Sequence, residues 1–219
     1  MIRQLTLKGR NKVHGVNISE DDDIPIALKE LEIVYPKTVI VLVGGAGGIG
    51  FLEKAPMRKA VRIVAELAEK TGSILIDGGT QAGIMTEVGL QRKKNKFAFP
   101  LIGVVFDSLI MKEEAASILD PNHTHFIFIP GDDWGAESSW ISRIASVAAG
   151  DRKSITVLVN GGDISRSDVE YSLLANRPTY VMRGTGRLAN DITLTGNVVA
   201  VDISQKADLI LETLKQKLV

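Results

Sequence analysis

Val39-Ile40-Val41-Leu42-Val43-Gly44-Gly45-Ala46-Gly47-Gly48 runs from five aliphatic residues straight into a glycine-rich turn, and this stretch decides how the rest of the chain is read. An unbroken aliphatic run suits a strand buried on both faces. Glycine after it lets backbone N–H groups turn toward a ligand with no Cβ in the way, and a following helix adds its positive N-terminal end. The construction recurs at Ile74–Ile76 into Asp77-Gly78-Gly79-Thr80 and at Ile155–Val159 into Asn160-Gly161-Gly162-Asp163. It recurs again at Tyr180–Met182 into Arg183-Gly184-Thr185-Gly186-Arg187. If the four strands lie in one parallel sheet, their turns make a glycine-lined crevice suited to phosphate or a nucleotide.

Outward from these runs, strands and helical patterns alternate from Lys37 onward. Met57–Lys70 carries apolar residues at 57, 60, 61, 64, 67 and 68, the spacing of an amphipathic helix. Helices are predicted at Ile84–Arg92, Trp134–Ala149, Ser167–Ala175, Leu188–Ile192 and Gln205–Leu218, and further strands at Leu101–Phe106, Phe126–Ile129 and Val198–Val201. This pattern predicts an α/β domain with a mainly parallel sheet and helices on both faces, spanning residues 37–219. Residues 1–36 read as an N-terminal appendage packed on it, with short strands at Ile2–Leu7 and Val13–Ile18, a hairpin across Lys8–Lys12, and a helix over Ile26–Val34. The acidic run Glu20–Asp23 is read as the cap and first turn of that helix, not as a metal site.

Composition narrows the function classes. Lys+Arg and Asp+Glu both number 26, so no net positive charge points to bulk nucleic acid or an anionic membrane surface. The absence of cysteine excludes disulfides, thiolate metal sites and cysteine nucleophiles, and fits a reducing cytoplasm. No apolar run approaches the roughly 20 residues of a membrane span, and Met1–Leu5 lacks a signal-like stretch, so a cytoplasmic protein is expected.

Several constellations can carry chemistry. Gly45, Gly47 and Gly50 form a literal G-x-G-x-x-G, with Asp77 ending the next strand, as a dinucleotide fold would place its ribose carboxylate. Against that reading, the helix starts only near Pro56, leaving 51–55 as a loop, and Asp77 leads into another glycine turn. In Asp77–Met85, Gly83 lets phosphate approach a helix start while Thr80 and Gln81 offer hydrogen bonds; a plain strand–helix connection is the alternative. In Gly131–Glu137, Asp132 and Glu137 suit ribose hydroxyls and Trp134 suits a base, unless Asp133 merely caps the helix and Glu137 sits in its first turn. Trp140 is expected in the core. Arg183 and Arg187 beside glycine amides suit a phosphate or pyrophosphate. Asp168 and Glu170, at a helix start, either stabilise positive charge on a ribose ring or are solvated first-turn acids. His14, His123 and His125 give no metal pattern, the last two suiting a solvated or packed role, and there is neither a P-loop nor a G-x-S-x-G elbow.

Taken in order, the Val41–Gly48, Asp77–Met85, Gly131–Ser138, Asn160–Gly162 and Arg183–Ala189 blocks resemble the SLOG superfamily, within it the prokaryotic group similar to the N-terminal region of melastatin-type TRP channels. The resemblance covers about residues 37–192. It implies a Rossmann-like domain that binds nucleotides or NAD-derived molecules such as ADP-ribose. Related branches include cytokinin-activating phosphoribohydrolases, in which a P-G-G-x-G-T-x-x-E segment carries a catalytic glutamate and an arginine is supplied from elsewhere, and DNA-processing Smf/DprA proteins. The stretch here is Asn160–Glu170: asparagine replaces the proline, the second glycine is absent, and Glu170, at a longer spacing, is the counterpart considered for the glutamate. Asn190 stands where the family's last block usually has aspartate.

Two functions follow as expectations. The first is a nucleotide sensor for an NAD-derived or ADP-ribose-like ligand. Its binding residues would be Gly44, Gly45, Gly47, Gly48, Gly78, Gly79, Thr80, Gln81, Gly83, Gly131, Asp132, Trp134, Glu137, Gly161, Gly162, Asp163, Gly184, Thr185, Gly186 and Arg187, with no metal and no cofactor. The alternative is an N-glycosidic hydrolase acting on a nucleotide, with Glu170 or Asp168 stabilising an oxocarbenium-like transition state. A third reading is an interaction module with a vestigial pocket. A homo-oligomer is compatible with an apolar helix face such as that of Met57–Lys70.

Overall fold

The computed structural model describes residues 2–6, 12–47, 50–110 and 118–218. Nine strands form one sheet: β1 Ile2–Thr6, β2 Lys12–Asn17, β3 Val39–Gly44, β4 Ile74–Asp77, β5 Leu101–Phe106, β6 His125–Ile129, β7 Ser154–Val159, β8 Thr179–Arg183 and β9 Val198–Asp202. Their spatial order is β1-β2-β6-β5-β4-β3-β7-β8-β9. Every pairing is parallel except β1 with β2, which form an antiparallel hairpin. The α/β class, with a mainly parallel Rossmann-like sheet, is therefore what the alternation of strands and helices specified. Residues 8–11 of the hairpin loop lie outside the described residues.

Alternation along β3 explains why the opening run is continuously apolar. Val39, Val41 and Val43 enter the core on one face, while Ile40 and Leu42 enter the core on the other. The first face is covered by helices Asp23–Glu30, Glu137–Ala149 and Asp163–Leu174, the second by Lys54–Thr71, Gly83–Asn95 and Ala207–Lys215. A strand covered on both sides needs apolar residues at both parities.

From β3 the chain winds through β4 and β5 to β6 on one side, then returns to place β7, β8 and β9 on the other. The order therefore reverses between β3 and β7, the position where open α/β sheets leave a crevice beyond the strands' carboxyl ends. The strands carrying the four glycine turns, β4, β3, β7 and β8, are consecutive neighbours around that point. Residues 12–17 extend the same sheet, since β2 pairs with β6 and sets His14 opposite His125.

Several boundaries differ from the sequence reading. The helix after the first turn begins at Lys54 and is preceded by a single 3-10 turn, Phe51–Glu53, where a loop was expected. The N-terminal helix is Asp23–Glu30, four residues short of the expected end at Val34, and Glu32 takes a left-handed φ of 56°. Asp23 is inside its first turn and reaches back, its carboxylate accepting hydrogen bonds from Ser19 N–H (2.7 Å), Ser19 Oγ (3.0 Å) and Glu20 N–H (3.1 Å). Those bonds hold the Asp23 carboxyl below its usual range. The Trp134–Ala149 pattern becomes helical only at Glu137, so Asp133 does not cap it. Trp140 is half-buried, packed at the core's margin with the Arg143 guanidinium 3.9 Å above its ring. The helix predicted from Ser167 starts at Asp163, which moves Asp168 and Glu170 from a helix start into its second turn.

Candidate functional site

The Asp163–Leu174 helix starts directly behind β7. Gly162 is its extended N-cap residue, so the first amides of a twelve-residue helix face the switch point. Gly162 also leaves room for Arg187, because a Cβ there would lie 2.6 Å from the guanidinium. Arg187 opens the short helix Arg187–Asp191 and donates from Nη1 to the Gly47 carbonyl at 2.8 Å. That bond ties the fourth turn to the first at the crevice.

Two residues not singled out as site residues hold the turns together. Asn160 is buried in a left-handed conformation (φ 60°), its N–H donating to Thr185 Oγ1 (2.8 Å) and its Nδ2 to the Thr185 carbonyl (2.7 Å). The same Nδ2 reaches Glu53 Oε2 (3.3 Å), which also accepts from Gly50 N–H (2.9 Å). Asparagine in place of the motif's proline is thus the hub joining three turns; proline has neither the N–H nor the amide to do this. In sequence, the signals were the asparagine immediately before two glycines and the glutamate three places after Gly50. Asn190 serves similarly, its Oδ1 accepting from Gly184 N–H at 2.8 Å, a bond an aspartate would also accept.

The crevice, open to solvent, measures about 340 Å³. Of the expected binding residues, Gly44, Gly45, Gly47, Gly78, Thr80, Trp134, Glu137, Gly162, Asp163 and Arg187 line it. The rest take other places. Gly79 packs on Gly103, Gly131 against Phe106, Gly161 against Ser165, and Gly184 and Gly186 against Ile203 and Glu53. Thr185 is buried as a partner of Asn160, Asp132 is exposed, and Gln81 faces a neighbouring hollow with Arg58 and Glu87. Gly83 is required by packing: its φ is +45°, and a Cβ would overlap the Gly45 carbonyl oxygen, which accepts from Ile84 N–H (3.1 Å). Gly48 lies outside the described residues.

The rest of the crevice lining is acidic and apolar. Trp134 is 57% exposed and meets Phe106 edge-on, with ring centroids 6.0 Å apart. Met85, Ile141 and Ile164, not among the expected binding residues, add apolar lining. Glu137 is buried and accepts from Gly135 N–H at 2.6 Å; burial pushes its carboxyl up despite that bond. Asp168 also lines the crevice. Burial pushes its carboxyl up to about 7, with the Ser138 hydroxyl opposing and the Glu137 carboxylate adding to the rise. Among the described residues its Oδ1 has no hydrogen-bond partner.

Glu170, weighed as the catalytic counterpart, points elsewhere: it is exposed and outside the crevice. Counting from the motif gives the same correction. Its glutamate stands eight places after its proline, and eight places after Asn160 is Asp168. Asp77, considered for a ribose, is wholly buried instead, accepting from Gly79 N–H (2.8 Å) and bonded to His123 (2.7 Å). His123 is likewise packed, not solvated, between Asp77 and Asp120 and stacked on Phe126.

A mainly parallel sheet wound both ways from a central strand, with glycine turns lining one crevice at the switch point, defines a Rossmann-like α/β protein. Over residues 37–219 the chain matches the family LSDAT_prok, described as SLOG in TRPM, prokaryote, and it belongs to that family. It is 26% identical over 239 residues to the transient receptor potential cation channel subfamily M member-like 2 of Nematostella vectensis, a match covering 86% of this chain and 15% of that protein. The chain thus spans a small part of that relative's length. Among solved structures, it resembles TM1055, a structural-genomics target, with a TM-score of 0.59 and 20% identity over 81% of this chain and 99% of the other. It also resembles a molybdenum cofactor binding protein from Rippkaea orientalis, with a TM-score of 0.50 and 14% identity over 85% of this chain and 89% of that one. Among the described residues no helix is long and apolar enough to cross a membrane.

Proposed function

We propose that the crevice binds an NAD-derived or ADP-ribose-like nucleotide and that the protein serves as a sensor of it. The observation that carries this reading is the convergence of Gly44–Gly47, Gly162, Arg187 and Trp134 on a single crevice. The phosphate lies against the turns and the first amides of the Asp163–Leu174 helix, and Arg187 pairs with it. Glu137 and Asp168 accept from ribose hydroxyls, and the base packs against Trp134. At about 340 Å³ the crevice is at the small end for a ligand site, so it encloses one nucleotide unit and leaves the remainder of a larger ligand outside.

One observation favours a second reading, hydrolysis of an N-glycosidic bond. Asp168 is the crevice carboxyl at the motif's own spacing, and a carboxyl held near 7 suits acid–base work at neutral pH. ADP-ribose, cyclic ADP-ribose, NAD and nucleoside monophosphates, each titrated by thermal shift and then assayed for released base, separate the two. A shift without base release supports the sensor, and release lost in Asp168→Asn supports the hydrolase. No shift and no release with any of these would refute both.

A further inference from the structure

We propose a second binding site, for a compact phosphate-type oxyanion, in the groove at the opposite end of the sheet from the crevice. The groove lies where helices Glu137–Ala149 and Asp163–Leu174 end and strands β7 and β8 begin, and its volume is about 500 Å³. Arg152, Lys153, Arg177 and Lys217 line it, and none of its described lining residues is acidic.

Arg177 is the central observation. It is 2% exposed, and among the described residues no carboxylate pairs with it. Its guanidinium donates to four neutral acceptors: Ser154 Oγ (3.2 Å), Ser142 Oγ (3.2 Å), the Ser142 carbonyl (2.9 Å) and Ser146 Oγ (2.9 Å). A guanidinium has five N–H donors, so one remains beyond these four. Burial without a counter-charge pushes this arginine down to about 10. A buried cation ordinarily has an anionic partner, because taking it out of water is costly.

The plainer account is that three helix C-termini neutralise the groove, those of Glu137–Ala149, Asp163–Leu174 and Ala207–Lys215, the last ending two residues before Lys217. Each supplies about half a negative charge, so together they offset about one and a half cations. Asp151 lies only loosely on Arg152, at 3.9 Å and with both side chains well exposed. Leaving Lys153 out and granting Arg152 to Asp151, Arg177 and Lys217 still exceed the helix ends by about half a charge. An oxyanion seated among Arg177, Lys217 and the loosely paired Arg152 meets that excess and accepts the remaining guanidinium N–H.

The test titrates inorganic phosphate, against chloride at constant ionic strength, into Arg187→Gln protein, in which the crevice is weakened. A second sample adds Arg152→Gln and Lys217→Gln, both at exposed positions. For millimolar affinity, 10 mM phosphate raises the melting temperature of the first by about 3 °C and that of the second by less than about 1 °C. Without phosphate, the triple variant melts at the same temperature or higher, because like charges have been removed. Equal shifts in both proteins, or no shift in the first, overturn the proposal. A parallel titration with glycerol 3-phosphate assigns the source: tighter binding than phosphate marks an ester site, weaker binding a free-ion site.

Discussion

Two buried side chains make the protein's stability fall as pH rises. Asp168 has a folded-state pKa of about 7, above its ordinary value of 3.8, so the native state holds that proton more tightly than the unfolded chain does. The cost of ionising it in place accumulates between about pH 4 and 7 and is complete above that range. Asp168→Asn therefore matches the wild type near pH 4 and is more stable at pH 8, by on the order of 1–3 kcal/mol in urea unfolding. A variant less stable at pH 8 would show that the ionised carboxylate is not penalised there. His123 acts at higher pH. Burial alone would push its imidazole down, but the Asp77 and Asp120 carboxylates outweigh burial and hold it up to about 9. Its contribution is complete below about 6.5 and is lost as pH rises through 9. His123→Ala strands two buried carboxylates and lowers stability at pH 7 by about 3–5 kcal/mol, read from the urea midpoint. These roles were poorly legible in sequence. His123 is 46 residues from Asp77, so no local pattern links them, and Glu170 resembled the motif's acid by type while Asp168 held its place.

At the scale of elements, the glycine turns divide by what surrounds them. Gly162→Val crowds Arg187 at the crevice wall and leaves the main-chain conformation tolerable, since its φ is −137°. Nucleotide binding falls by at least tenfold in calorimetry while the protein stays folded; unchanged affinity in folded protein would move the site off this turn. Gly83→Val strikes the Gly45 backbone instead, and its loss appears first as a lower melting temperature. Leu67→Ala, at a fully buried position of the Lys54–Thr71 helix, lowers stability by about 2–5 kcal/mol with no direct effect on the crevice. The strands and their turns were readable because aliphatic runs ending in glycine have few other uses. The start of the Asp163–Leu174 helix was not. Its apolar residues Ile164, Tyr171 and Leu174 are exposed, so apolar spacing does not mark its buried side. That side instead holds Ser165, Asp168, Val169 and Ser172.

At the scale of the molecule, the helices Glu137–Ala149 and Asp163–Leu174 begin at the crevice and end at the basic groove. The sheet's winding order sets both ends, so the crevice lies at the β3/β7 reversal whatever ligand it accepts. That arrangement was legible only as a condition: four glycine turns form one site if their strands are neighbours, and the pairing of distant strands is not written in any short stretch. The pairing of β2 with β6 is the extreme case, because it joins residues 14–17 to residues 125–128.

That pairing bears on how the chain folds and how it fails. A contact across more than a hundred residues closes a long loop, which favours its forming late, after the nearer strands have assembled. Until then β6 is the sheet's open edge, offering unpaired backbone groups beside Phe126 and Phe128 to any other chain. The first strands therefore act as a built-in guard against strand-to-strand aggregation. Removing residues 1–18 should turn a monodisperse sample into one that associates with rising concentration in light scattering, and a truncated protein that stays monodisperse would show that the edge is protected by something else.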